Sequence, residues 1–210
     1  MPSTRLLLGA LATLLVTALP IRARAEETAT KTVERLNAAI ADIVPKAEEL
    51  GYGGRFERLK PAMEQAFDFD FMAEKSLGRH WKNLNDEQKK QWAAGFREFA
   101  IANYAANIDK NAGQHWELLG EERSEHDTVL VRGRVVGGTT APVDLTYRLH
   151  PTPEGPRIID VELKNTVSEL ALRRADFTSV VARDGFDALL NTLRIRIADL
   201  AAGRAKRPAP

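Results

Sequence analysis

Two carboxylates stand two residues apart in the run FDFDFMAEKSLGRHW, which spans Phe67 to Trp81. On a β-strand Asp68 and Asp70 would share one face, where paired carboxylates can do general acid–base work. On a helix the same spacing turns them apart by about 200°. The residues that follow, Met72-Ala73-Glu74-Lys75-Ser76-Leu77, favour a helix, and Gly78 suits a C-terminal cap. A short helix from about Asp70 to Leu77 is therefore expected. Asp68 or Asp70 caps its N-terminus and complements its dipole, and the aromatics join an apolar wall.

The other reactive side chains are sparse. No two of His80, His115, His126 and His150 stand at i, i+3 or i+4, so no metal-ligand spacing is present. The chain has no cysteine, which excludes thiolate nucleophiles and Cys-ligated metals. It has no G-x-S-x-G, no phosphate-binding P-loop and no H-E-x-x-H. Gly51-Tyr52-Gly53-Gly54 follows a helical pattern rather than a strand, so it reads as a turn and not a dinucleotide loop. No catalytic residue, metal or cofactor is expected.

The elements around these residues follow from hydrophobic period. Val33, Leu36, Ile40, Ile43 and Val44 recur at helical spacing over about Thr28 to Val44, until Pro45 and Gly51 interrupt. Tyr52, Phe56, Leu59, Met63 and Phe67 mark a second helix, with a kink expected at Pro61. Asn85-Asp86-Glu87-Gln88 resembles a capping box, and a long helix follows to about Lys110. The period then changes to two. His115 to Glu121, Thr128 to Val136, Pro142 to His150 and Arg157 to Lys164 read as four strands of an antiparallel meander. Val143, Leu145, Tyr147 and Leu149 share one face of the third strand, and Ile159, Val161 and Leu163 one face of the fourth. Thr166-Val167-Ser168-Glu169 reads as a second capping box, before helices to about Arg183 and from Gly185 to Ala201. Helices, then a sheet, then helices make an α+β domain.

The ends have a different character. Arg5 precedes an apolar run from Leu6 to Leu19, and Ala23-Arg24-Ala25 offers a small-x-small cleavage site. This is the layout of a signal peptide over residues 1–25, and the run is short for a spanning helix. The expected division is that leader, one domain over 26–203 and a disordered tail over 204–210. Removing Arg5, Arg22 and Arg24 from the 30 basic residues leaves 27 against 29 acidic ones. That balance is no nucleic-acid signature. An exported chain without disulfides must be held by packing alone, and a periplasm suits it. The sheet face and the helices then either close one interior or leave a cavity for an apolar ligand.

The order of residues resembles the MlaC and toluene-tolerance family of periplasmic lipid carriers. The matching positions are Phe67-Asp68-Phe69, Met72-Ala73, Leu77-Gly78 and Trp81, then Gln88, Phe96, Phe99 and Tyr104. A second block is Asp160-Val161, Ser168, Arg174 and Phe177, ahead of Leu189-Leu190 and Leu193. There are departures: Asn165-Thr166-Val167-Ser168 is one residue longer than the family's turn, Arg173 replaces an aromatic, and Arg157-Ile158 stands where a tryptophan is common. The run SELALRRADF is closer to the hopanoid-associated branch, HpnM.

The resemblance implies an NTF2-like fold, a four-stranded antiparallel sheet covered by about six helices around an apolar cavity. It implies a monomeric shuttle that carries phospholipid or hopanoid between an inner-membrane transporter and an outer-membrane partner. Each methylene exposed to water costs about 0.8 kcal/mol, so a lipid with some 30 of them costs on the order of 20 kcal/mol to move bare. The candidate lining is Met72, Leu77, Phe96, Phe99, Val131, Val135, Leu145, Tyr147, Leu149 and Val161. The head would stay near the mouth, against Arg or Lys. Two other readings compete. One is an enzyme on the same scaffold, using Asp160 or Asp144 with His150, although strand alternation turns all three from the apolar face. The other is a lipid-free adaptor that binds a transporter.

Overall fold

The computed structural model describes residues 28–108, 113–138, 141–164 and 166–204. The expected leader and residues 205–210 of the expected tail lie outside the described residues. The helices are α1 (Ala29–Ile43), α2 (Ala47–Ala66), α3 (Phe69–Leu77), α4 (Asp86–Asn107), α5 (Glu169–Asp184) and α6 (Phe186–Ala201). The strands are β1 (Gln114–Ser124), β2 (Thr128–Gly137), β3 (Val143–His150), β4 (Arg157–Leu163) and β5 (Val167–Ser168). Short 3-10 segments occupy Val44–Lys46 and Gly78–Asn83.

Local chemistry sets most of these boundaries. Thr28 caps α1, accepting from the Lys31 amide at 3.3 Å. Asn85 and Gln88 exchange side-chain-to-backbone bonds of 2.8 and 3.0 Å, the reciprocal box that starts α4. In α2 the bend falls at Gly51 (φ 56°, ψ −177°) and not at Pro61 as expected. Gly51 adopts a positive φ that side-chain-bearing residues avoid, whereas the fixed φ of proline is itself helical.

Asp68 is the cap of α3. Its Oδ1 accepts from the Phe71 amide at 3.0 Å. Asp70 falls in the first turn and points to Arg97 at 3.4 Å. The two carboxylates therefore diverge, and α3 starts at Phe69, one residue earlier than expected.

The sheet is an antiparallel meander in the order β1-β2-β3-β4-β5. It has five strands where the sequence predicts four. β5 is two residues long, too short to show alternation, and pairs Ser168 with Glu162 and Val167 with Leu163. Ser168, rather than Thr166, is then the cap of α5, accepting from the Ala171 amide at 2.9 Å. In the β3–β4 pairing, Arg148 faces Asp160 while Leu149 faces Ile158, so Ile159 is the extra residue of a bulge. The expected apolar phase of β4 is corrected accordingly. Ile158 and Val161 join the main core, and Ile159 is buried outside it.

Helices α1, α2, α3 and α5 pack on the sheet, and α4 packs chiefly on α2, α3 and α6. Trp92, Phe96 and Phe99 of α4 surround Phe177 of α5 at ring distances of 5.0, 6.4 and 6.2 Å. The Trp92 indole N–H donates to the Ala73 carbonyl at 3.0 Å, so this large side chain is buried with its polar atom satisfied. Arg55 is buried too. It donates to the carbonyls of Ala105 and Ala47, both at 2.8 Å, placing a cation by the C-terminal end of α4. The opposite sheet face carries the cross-strand pairs Arg132–Glu122, Arg134–Asp144 and Arg148–Glu162, around the buried Leu130 and Thr146.

Candidate functional site

An apolar pocket opens where α2, α3, α4 and α5 meet β4. Its walls are Met63, Phe67, Phe69, Met72, Phe96, Phe99, Ala100, Tyr104, Val161 and Leu170, and Asn103, Glu169 and Arg173 complete the lining. The α4 residues recur at i, i+3, i+4, i+7 and i+8, one continuous helical stripe. Phe67 leaves α2 in an extended conformation and bridges to Ile158, with the Asp68 amide donating to the Ile158 carbonyl at 2.9 Å. That link stacks the rings of Phe67 and Phe69 5.4 Å apart and 11° from parallel, with Tyr104 edge-on to Phe67.

The charged side chains of the pocket belong to α5. The Arg173 guanidinium lies 5.0 Å from the centre of the Phe99 ring and 3.6 Å from Glu169. Asp160 fixes this end of α5. Its Oδ2 accepts from the Ser168 hydroxyl at 2.5 Å, and its Oδ1 from the amides of Val161 (2.8 Å) and Leu170 (3.1 Å).

The cavity measures about 70 Å³. A water takes about 30 Å³ of liquid, and pockets that hold drug-sized ligands measure about 300–1,000 Å³. The pocket is thus closed down, and a long apolar chain requires it to widen. Met63 and Met72 in its walls are unbranched and repack readily.

Of the ten residues expected to line a lipid cavity, Met72, Phe96, Phe99 and Val161 border this pocket. Leu77, Val131 and Leu149 are fully buried in the core instead. Tyr147 is buried and donates to Asn37 Oδ1 at 3.4 Å. Leu145 packs half-buried against the core, and Val135 lies half-buried opposite Trp116. The reason is that α1 covers this part of the sheet. Met63, Tyr104, Glu169, Leu170 and Arg173 line the pocket as well; the α4 stripe points to Tyr104, but nothing local places α5 across it.

Burial pushes the Tyr147 phenol up to about 12, with the Asn37 bond pulling slightly the other way. It raises Tyr104 further still, with the Tyr147 and Glu169 charges acting in the same direction. Both phenols are neutral and apolar in effect at ordinary pH.

The acid–base candidates do not converge. Asp144 is held by Arg134, which lowers its carboxyl below the usual range. Asp160 is spent on β4 and α5. His150 meets neither of them but Asp68, at 2.8 Å, with its ring 4.9 Å from that of Phe71. Because Asp68 also caps α3, this pair ties α3 to the end of β3. Among the described residues no group of three or more His, Cys, Asp or Glu could hold a metal. Among them, too, no helix is long and apolar enough to cross a membrane.

The architecture is matched by a solved structure of a phospholipid-binding protein from Ralstonia solanacearum, in complex with a phospholipid. The TM-score is 0.72 at 24% identity, over 83% of this chain and 99% of that one. At that identity the likeness concerns the fold. No curated protein sequence matches the chain. The description "MlaC protein" matches residues 31–195, which take in every element from α1 to most of α6. The chain belongs to the MlaC family.

Proposed function

We propose that this protein is a lipid carrier that takes an acyl or polycyclic hydrocarbon chain into the pocket between α4, α5 and β4. The observation that supports the reading is the lining itself: ten apolar or aromatic residues, with the charged side chains confined to Glu169 and Arg173. Such a wall offsets hydrocarbon exposure without directional bonds, so it holds a chain yet releases it. The family membership and the phospholipid in the Ralstonia protein support a lipid ligand. In this reading the signal peptide sends the chain to the periplasm. There it works as a monomer on an NTF2-like scaffold, between an inner-membrane transporter and an outer-membrane partner. Phospholipid is the first cargo, and the SELALRRADF run makes a hopanoid the second.

The closed pocket favours one other reading, a lipid-free adaptor of an envelope transporter. The decisive experiment is solvent extraction of protein purified from a periplasm that holds both lipid classes, followed by mass spectrometry. Stoichiometric phospholipid or hopanoid is expected and selects the cargo. No lipid, with an unchanged melting temperature on adding either, overturns the carrier and leaves the adaptor.

A further inference from the structure

We propose that a second cleft, between the 3-10 segment Gly78–Asn83 and α5, binds a phosphate group. The cleft is open to solvent, has a volume of about 400 Å³ and is lined by Arg79, His80, Arg174, Ala175, Thr178 and Ser179. No acidic side chain is in that lining. Eight other arginines, Arg97, Arg132, Arg134, Arg148, Arg173, Arg183, Arg196 and Arg204, sit on carboxylates; Arg79 and Arg174 are distinguished by lying together in one cleft. Among the described residues neither the Arg79 nor the Arg174 guanidinium has an acidic or hydrogen-bonding partner, while the Arg174 carbonyl accepts from the Thr178 hydroxyl at 2.6 Å. Asp176, the acid of the same turn, is taken by Arg196 at 2.8 Å.

The site is shaped as well as charged. Gly78 ends α3 at φ +51°, and a methyl group on it would come within 2.8 Å of an Arg174 Nη and 2.9 Å of its Nε. The positive φ calls for glycine here, and the bare backbone leaves room for the guanidinium to lie against it, at the C-terminal end of α3 where the helix dipole favours a cation. Arg174 is thereby positioned before any ligand arrives, with its five N–H donors unspent. Arg79, His80 and Ser179, which line the same cleft, also carry side-chain donors. Forked guanidinium donors match a phosphate's oxygens, and a pair of them can grip two edges of one tetrahedral anion. The chain without its expected leader is slightly acidic overall, so attraction to an anion here is local and not a bulk effect.

The phosphate can belong to a lipid headgroup on a membrane or to a free phosphate ester. Arg79 and Arg174 line no part of the apolar pocket, so this inference stands or falls apart from the carrier reading. The test compares the purified protein with R79Q/R174Q in two arms. One titrates inorganic phosphate by calorimetry. The other measures cosedimentation with phosphatidylglycerol-containing vesicles and with pure phosphatidylcholine vesicles.

About fivefold weaker binding is expected per arginine removed, and about 30-fold for the pair. Preference for the anionic vesicles, lost in the variant, names the membrane as source. Saturable phosphate binding without vesicle preference names a free ester. Equal behaviour of wild type and variant in both arms overturns the site. R79Q alone alters an exposed side chain, so its fivefold loss at unchanged melting temperature separates binding from folding. R174K, which keeps the charge but not the fork, is expected to recover only part of the affinity.

Discussion

Replacing Asp160 by alanine tests how α5 is fastened over the apolar pocket. Asp160 makes two bonds that cross from β4 to the start of α5, to the Ser168 hydroxyl at 2.5 Å and the Leu170 amide at 3.1 Å. Hydrogen bonds to a charged group contribute about 1.5–3 kcal/mol each, and partial exposure places these at the lower end. The expected loss for Asp160→Ala is therefore about 3 kcal/mol. For a domain of this size that lowers the melting temperature by about 6–12 °C. Asp160→Asn keeps an acceptor but loses the charge by the N-terminal dipole of α5, and should lose about half as much.

The Ser168 hydroxyl donates to Asp160 and accepts from Ala171, so the two sites act as one unit. A double-mutant cycle with Ser168→Ala, read by urea unfolding, should show a coupling of about 1 kcal/mol or more. Glu169, Leu170 and Arg173 follow directly and line the pocket, so the variant should also exchange bound lipid faster. A loss below about 0.5 kcal/mol, or strict additivity with Ser168→Ala, refutes the fastening argument.

Three further outcomes are expected. Phe177→Ala removes the ring packed among Trp92, Phe96 and Phe99 and should cost about 3–5 kcal/mol in urea unfolding. Gly133→Ala would drive a methyl into the Trp116 indole nitrogen, so it should displace that ring, shift tryptophan fluorescence and cost about 1–3 kcal/mol. All three tyrosines, Tyr52, Tyr104 and Tyr147, are raised by burial. The fold then favours their protonated form: the stabilisation is full below about pH 10, where unfolded phenols begin to ionise, and is lost as pH rises through the folded values. Near-UV absorbance should show little tyrosinate at about pH 10, and urea stability should fall between about pH 10 and 12; half-ionised native protein at pH 10 contradicts the burial.

The local elements were legible because their causes are local. Helix formers after Asp68, the Asn85–Gln88 box and the alternation of β2 to β4 act within a few residues, and each produced the expected element. Errors arose where a distant partner chose between local options. The two-residue β5 exists because β4 is beside it, and Asp160 selects Ser168 over Thr166 as the cap of α5. The bulge at Ile159 exchanges that residue for Ile158 on the core face, where Ile158 receives Phe67.

Period and capping are properties of neighbouring residues, and they suffice to specify an α+β domain with a large apolar interior. Which apolar side chains face a cavity follows instead from long-range packing. Leu77, Val131 and Leu149 have the same hydrophobic character as Met72 and Val161, yet α1 and the helix layers bury the first three completely. Burial is non-directional, so an apolar residue's type says that it leaves water but not what it meets there. The paths of α3, α4 and α5 across the sheet supply that information, and with it Arg173 and Glu169 beside the pocket and Arg174 in the second cleft.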